Sequence, residues 1–233
     1  SNELRYDELD RKKRLLQFNT FVWLCCLDRQ HNITEEILNK FNLGMIKIHK
    51  EYIKLLPKSY DILSNTQIYS DSPRLSYYIL TQYNLELMTQ SKESFDELDR
   101  LCFYFNKKSY NIEHIYPRNH RFNYWNERFG SLNLKDREKY KNTLGNLIVI
   151  SARKNDKLEN KAYPDKCDFK ATNNPTGYKY GTMAERYLCE TYSDWTKESI
   201  YKRGLEILEF MYKEWGVKVP RKDAKKVLGL PEE

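Results

Sequence analysis

The chain changes character at residues 110–117, which read YNIEHIYP. Polar and apolar side chains alternate there, two β-branched isoleucines are present, and a proline ends the run, which is typical of a short strand. The continuous apolar run LIVI at residues 147–150 predicts a second short strand. Ser151, directly after it, is a suitable N-cap for a helix that extends to about Ala162. The order of strand, strand and helix predicts a small ββα unit.

Helical spacing of apolar residues dominates on both sides of this unit. We therefore predict an α+β fold that is mostly helical, with a small ββα core flanked by helical regions. The predicted division is a helical N-terminal region at 1–108, the ββα core at 109–170 with an insertion at 118–143, and a C-terminal helical cap at 171–233. The insertion is polar and aromatic and is expected to be helical, with Trp125 and Phe129 packed inward. The tail from Pro220 onward is expected to be frayed or to contact another molecule.

Composition restricts the class of protein. Charged residues make up 31% of the chain, and it has only 8 Gly and 7 Pro, which excludes collagen-like and low-complexity disordered chains. No apolar run approaches the length of a membrane span and no secretory signal is visible, so we expect a cytoplasmic protein. The five cysteines include no C-x-x-C pair for a zinc knuckle. Because the chain lacks an initiator Met, we expect it to be a processed chain or a piece of a longer protein.

Basic residues are concentrated in the second half of the chain. The net charge is +7, from 40 basic and 33 acidic residues. Residues 1–110 contain 16 basic and 15 acidic residues, whereas residues 111–233 contain 24 and 18. This asymmetry is compatible with a polyanionic partner such as nucleic acid, although a solvated basic face gives the same excess.

Glu113, His114 and Asn155 together supply the groups that phosphodiester hydrolysis needs. A neutral histidine can take a proton from water near pH 7, since its reference pKa is about 6.5. A carboxylate and an amide oxygen form an incomplete shell of hard ligands, which suits Mg²⁺ or Mn²⁺. Adjacent residues on a strand point to opposite faces, so we assign Glu113 to the metal beside Asn155 and His114 to the attacking water. Asn160 lies about 140° from Asn155 around a helix, and we expect it to brace the site or contact a phosphate.

Other polar residues near this set have predicted supporting roles. Asn146 is expected to hydrogen-bond the backbone or the ring near His114 and so to fix the tautomer of the imidazole. The residues predicted to contact DNA are Arg118, Arg153, Lys154, Asn160, Lys161 and Lys166. For any single one of the cations around the site, a solvated helix face is an equally good interpretation.

These residues resemble the HNH nucleases, also called His-Me finger or ββα-metal nucleases, and more closely the HNH domain of the GmrSD-type modification-dependent (type IV) restriction enzymes. The matching motifs are Glu113-His114-Ile115-Tyr116-Pro117, Gly145-Asn146-Leu147, Asn155, Asn160, Lys166 and a tail pattern of Trp195, Ile200, Arg203 and Trp215. The resemblance covers about 109–215 and is weaker before it. It implies that His114 is the general base, that Glu113 and Asn155 bind the divalent metal, and that the family acts on DNA in bacterial anti-phage defence. It also implies a nucleotide-dependent sensor domain or subunit, which often precedes the nuclease in this family.

The leading hypothesis is a metal-dependent endonuclease or nickase that acts on double-stranded DNA, modified or unmodified. One ββα site cuts one strand, so double-strand cleavage would need two copies, as in a homodimer. Two alternatives remain open. One is a non-catalytic DNA-binding or partner-docking module of a defence protein, and the other is an HNH-type RNase.

Overall fold

The computed structural model describes residues 68–71, 73–91, 110–119, 122–171, 174–215 and 217–232, and most of the predicted N-terminal helical region lies outside them. The helices in these segments are α1 (Ile68–Asp71), α2 (Pro73–Gln90), α3 (Asn123–Phe129), α4 (Leu134–Asn142), α5 (Ala152–Leu158), α6 (Tyr163–Cys167), α7 (Met183–Thr191), α8 (Lys197–Trp215) and α9 (Ala224–Val227). The strands are β1 (Tyr110–His114), β2 (Leu147–Ser151), β3 (Lys170–Ala171) and β4 (Asn174–Pro175). Short 3₁₀ turns occupy Leu144–Asn146, Tyr178–Tyr180 and Arg221–Asp223. The predicted fold class, α+β and mostly helical, is confirmed.

The predicted ββα unit is formed by β1, β2 and α5. The two strands pair antiparallel, with His114 and Glu113 opposite the first two residues of β2. All but the last residue of β2 are buried, which explains its unbroken apolar sequence. The Ser151 side chain accepts a hydrogen bond from the Lys154 N–H and caps α5, as predicted. The helix is shorter than predicted because the chain turns at Glu159, where φ is 44°.

The insertion between the two strands is helical, as expected. Helix α3 buries Trp125 and Phe129 completely. Both rings pack against Tyr116, just after β1, with ring centroids 5.5 Å and 4.0 Å away. This aromatic cluster holds the insertion against the ββα unit next to the end of β1.

Helix α8 packs against the turn that precedes β2. A Cβ on Gly145 would lie 2.1 Å from the backbone oxygen of Ile200, so a glycine is needed for this close approach. The buried guanidinium of Arg203 donates from Nη1 to three backbone carbonyls in and around the turn, at 2.7–3.2 Å. The C-terminal cap therefore fixes the position of the Gly-Asn-Leu turn.

One cluster of buried side chains connects α2, the ββα unit, the insertion and the C-terminal cap. The tail belongs to it, since Ala224, Val227, Leu228 and Leu230 are buried. The expectation of a frayed tail was wrong for the residues described up to 232, because these apolar side chains pack into the core. In the part of the chain that the structure describes, no helix is long and apolar enough to cross a membrane. The three-region division itself stays a prediction.

Candidate active site

A cavity of about 600 Å³ is lined by β1, by α5 and the residues after it, and by residues of α1 and α2. Its lining includes Glu113 and His114 from β1, Asn155 and Asn160 from α5 and the residues after it, and Arg118 from the segment after β1. The structure therefore places the predicted base, both predicted metal ligands and two predicted phosphate contacts around one cavity.

The His114 ring contacts Asn142, Arg118 and Tyr69. Its Nε2 lies 3.4 Å from the Oδ1 of Asn142 and 3.5 Å from the Nε of Arg118. The ring of Tyr69 meets it edge-on, with the two centroids 4.9 Å apart. His114 is only 7% exposed, and this burial, together with the charge of Arg118, lowers the pKa of His114 to about 4. The imidazole is therefore neutral near pH 7 and able to accept a proton.

Asn146 holds the backbone after β1 rather than the imidazole. Its Oδ1 accepts hydrogen bonds from the Tyr116 N–H at 2.7 Å and from Nε1 of Trp195 at 3.0 Å. Its Nδ2 donates to the carbonyls of Tyr116 at 3.0 Å and Lys141 at 2.9 Å. The predicted backbone contact is present, whereas the place predicted for Asn146 beside the ring is taken by Asn142 at the end of α4. Asn146 is completely buried and contacts the backbone of Tyr116, so it is a positioning residue and not a group that touches the substrate.

Glu113 points into the protein beside the cavity. It is 5% exposed, and its Oε1 forms a buried ion pair with Lys166 and accepts a hydrogen bond from the Tyr178 hydroxyl at 3.3 Å. Burial raises the pKa of Glu113, and the charge and hydrogen bond of Lys166 offset part of that rise. Lys166 also donates to the carbonyls of His114 and Ile115 at 3.1 and 3.2 Å. Because its ammonium is completely buried, the predicted contact of Lys166 with DNA was wrong.

Three of the other predicted DNA contacts face the cavity or solvent. Arg118 and Asn160 line the cavity, and Arg153 is exposed on α5. The backbone carbonyl of Asn160 accepts a hydrogen bond from Nε1 of Trp125 at 3.0 Å, so the insertion braces this end of the site. These three residues stay predicted phosphate contacts.

The remaining two lysines have protein partners. Lys154 forms an ion pair with the buried carboxylate of Glu185, and its predicted contact with DNA stays a prediction. Nζ of Lys161 donates to the Lys157 carbonyl at 3.0 Å and lies 4.6 Å above the ring of Phe169. An ammonium has three donors, so a phosphate contact for Lys161 stays a prediction.

Glu113 and Asn155 are the two predicted metal ligands at the cavity. In the described segments, no three His, Cys, Asp or Glu side chains lie close enough together to hold a metal ion. Glu113 and Asn155 offer one carboxylate and one amide oxygen, and a carboxylate whose Oε1 is hydrogen-bonded retains lone pairs for a cation. Mg²⁺ typically binds through one or two carboxylates, several waters and substrate phosphates. The binding of Mg²⁺ or Mn²⁺ at Glu113 and Asn155 stays a prediction.

Residues 58–210 match the family described as GmrSD restriction endonucleases, C-terminal domain. The chain belongs to this family. The match confirms the suspected GmrSD resemblance and supports a restriction-endonuclease role and nuclease activity in general. It starts well before the motif region at about 109, so the GmrSD C-terminal domain includes α1 and α2. No curated protein and no solved structure matches the chain.

Sequence reasoning missed two residues that contact the imidazole in this GmrSD C-terminal domain, Tyr69 and Asn142. Tyr69 lies in a segment without any motif, and no local signal distinguishes it from the other 18 tyrosines of the chain. Asn142 had a usable signal, because it lies directly before the turn that contains Asn146, which itself reaches the backbone after β1.

Proposed function

We propose that this GmrSD C-terminal domain is a divalent-metal-dependent DNA endonuclease that hydrolyses phosphodiester bonds in modified or foreign DNA, as part of anti-phage restriction in the bacterial cytoplasm. The observation that carries the proposal is a neutral His114 imidazole at the same cavity as the oxygen donors Glu113 and Asn155. Family membership supports nuclease activity in general and DNA as the substrate.

The proton acceptor in this proposal is Nδ1 of His114. The proposal takes the tautomer whose Nε2–H donates to the Asn142 Oδ1, 3.4 Å away, and whose lone pair is on Nδ1. In this tautomer Nε2 no longer accepts from the Nε–H of Arg118, which is then available to a phosphate. His114 then takes the proton of a water that attacks the phosphorus, and the bond from phosphorus to the 3′ oxygen breaks. The 3′ oxygen takes up a proton from solvent, and His114 later releases its own proton to solvent. Lys166 holds the His114 carbonyl and Asn146 holds the following backbone, so the imidazole stands on a rigid strand end.

Arg118, a cation at the cavity, is the residue proposed to bind and position the DNA strand. Arg118 borders the cavity next to His114, and its planar guanidinium suits two-point contact with a phosphate. A metal ion bound at Glu113 and Asn155 would supply positive charge next to the scissile phosphate and the leaving 3′ oxygen. One such site cuts one strand at a time, so the proposed product is a nick, and a double-strand break needs a second copy.

The test is conversion of supercoiled plasmid, modified and unmodified, to nicked circle. The proposal expects cleavage with Mg²⁺ or Mn²⁺, none in EDTA, and a loss of about 10²–10⁴-fold in rate for His114→Ala. Asn126→Ala is the matched control, because Asn126 is exposed on α3 and does not line the cavity. Salt-sensitive DNA binding without cleavage by the parent would favour a non-catalytic module instead, and cleavage of RNA with intact DNA would favour an RNase.

A further inference from the structure

Tyr69 belongs to α1, outside the ββα unit, yet it contacts two residues of the site. Its ring lies edge-on to His114 at 4.9 Å between centroids. Its hydroxyl accepts a hydrogen bond from Nη2 of Arg118, and the Arg118 guanidinium carbon lies 5.4 Å from the centre of the tyrosine ring. Tyr69 also lines the cavity itself. The neighbouring Ile68 is buried, which anchors α1 to the core.

We infer that Tyr69 is a positioning residue that holds Arg118 and His114 in place relative to each other at the cavity. This inference rests on the proposed function, because it assigns Arg118 to a phosphate and His114 to the attacking water. The inference adds Tyr69, a residue of α1, to the residues that form the nuclease site. The ββα unit alone therefore does not contain the complete site.

Arg118 needs such a partner because it is exposed and its side chain is long. A free arginine loses rotamer freedom when it grips a phosphate, and this loss reduces affinity. The hydroxyl of Tyr69 accepts a hydrogen bond from Nη2 and so fixes one end of the planar guanidinium. The remaining N–H groups are thereby preorganised for an anion before DNA arrives.

The hydroxyl and the ring of Tyr69 have separable effects. Tyr69→Phe removes the acceptor for Arg118 and keeps the ring against His114. Tyr69→Leu removes both. The inference therefore expects Tyr69→Phe to act mainly on DNA affinity and KM, and Tyr69→Leu to lower kcat as well, because the imidazole loses one of its supporting surfaces.

The first measurement is DNA affinity in EDTA, by fluorescence anisotropy, as a double-mutant cycle of Tyr69→Phe and Arg118→Ala. We expect Tyr69→Phe to weaken binding about 3–10-fold, as for loss of one hydrogen bond of typical net strength. Arg118→Ala should weaken it at least as much and lower the salt slope by about one. The double variant should match Arg118→Ala within about twofold, because Tyr69 acts through that arginine. Tyr212→Phe is the matched control, since Tyr212 is an exposed tyrosine of α8 that does not line the cavity.

The second measurement is plasmid nicking in Mg²⁺ with the same proteins, each corrected for its folded fraction from a thermal melt. Tyr69→Phe should keep kcat within about threefold of the parent, and Tyr69→Leu should lose about tenfold or more. Parental affinity in Tyr69→Phe, effects that multiply in the double variant, or parental kcat in Tyr69→Leu would overturn the inference. A parent that shows the affinity coupling but cuts no DNA contradicts only the proposed function. A parent that binds no DNA contradicts both.

Discussion

Asn146 offers the sharpest stability prediction, because all its side-chain hydrogen bonds are buried. Asn146→Ala leaves two buried donors without an acceptor, the Tyr116 N–H and Nε1 of Trp195. Each unsatisfied buried donor costs about 1–3 kcal/mol, so the two cost about 2–6 kcal/mol before the carbonyls of Tyr116 and Lys141 are counted. Since the free energy of unfolding of a domain is only about 5–15 kcal/mol, the variant should lose a large share of its stability.

The measurement is urea unfolding followed by far-UV circular dichroism, on Asn146→Ala, Trp195→Phe and the double variant. In the Asn146→Ala background, Trp195→Phe removes a donor that is already unsatisfied, so its cost should fall by about 1–3 kcal/mol relative to its cost in the parent. Asn126→Ala, at an exposed position on α3, should change stability by no more than about 0.5 kcal/mol. A loss below about 1 kcal/mol for Asn146→Ala, or strict additivity with Trp195→Phe, would refute this account of the turn.

Three further predictions concern the buried ion pair of Lys166 with Glu113, the glycine in the turn before β2, and the partly exposed ion pair of Arg128 with Asp194. Lys166→Met leaves the buried Glu113 carboxylate without its cation and should lower the free energy of unfolding, measured in urea, by about 3–5 kcal/mol. Part of this loss should be recovered in the double variant with Glu113→Gln. An unchanged free energy of unfolding in Lys166→Met would contradict this prediction. Gly145→Ala brings a Cβ to 2.1 Å from the α8 backbone, so Tm should fall with a loss of about 1–3 kcal/mol, and an unchanged Tm would mean that α8 packs differently. Burial alone would raise the pKa of Asp194, but hydrogen bonds, foremost from Arg128, hold that pKa below 3.8. The ion pair therefore stabilises the fold above this pH, and its contribution is lost as the pH falls through the lowered pKa of Asp194. The Tm difference between the parent and Asp194→Asn should accordingly shrink in acid. A Tm difference that does not change with pH would contradict the prediction.

The elements of the ββα unit could be predicted because their signals are local. Alternation before a proline marks β1, an unbroken apolar run marks β2, and Ser151 marks the start of α5. Trp125 and Phe129 could be predicted as core residues because large aromatic side chains in a polar segment have few other places to go. The same reasoning failed for the tail after Pro220, where interspersed charges obscure the apolar face formed by Ala224, Val227 and Leu228.

In the candidate site, the sequence predicted the residues whose side-chain type by itself suggests a chemical role. The motifs predicted that Glu113, His114 and Asn155 lie close together, and in the structure all three line one cavity. The fate of Lys166 was not predictable, because a lysine normally faces solvent and this one is buried only by virtue of a carboxylate 53 residues away in the sequence. Lys154 is a similar case, with a partner 31 residues away.

The contacts of the imidazole depend on three-dimensional packing of separate elements. Tyr69 lies 49 residues before its hydrogen-bonded partner Arg118, and Asn142 lies 28 residues after His114. No periodicity or motif joins positions at these separations, so Tyr69 could not be assigned before the fold was known. For Asn142 the only signal in the sequence was its position just before the turn that contains Asn146.

The most direct test of the account is the single-turnover rate of phosphodiester cleavage by His114→Ala in Mg²⁺, with and without added imidazole. His49→Ala, a change at another of the four histidines, serves as the control. The account predicts that His114→Ala cleaves about 10²–10⁴-fold more slowly than the parent, that its DNA affinity is within a few-fold of the parental value, and that imidazole restores part of the rate. Cleavage by His114→Ala at the parental rate would contradict the assignment of the base, and with it the proposed mechanism.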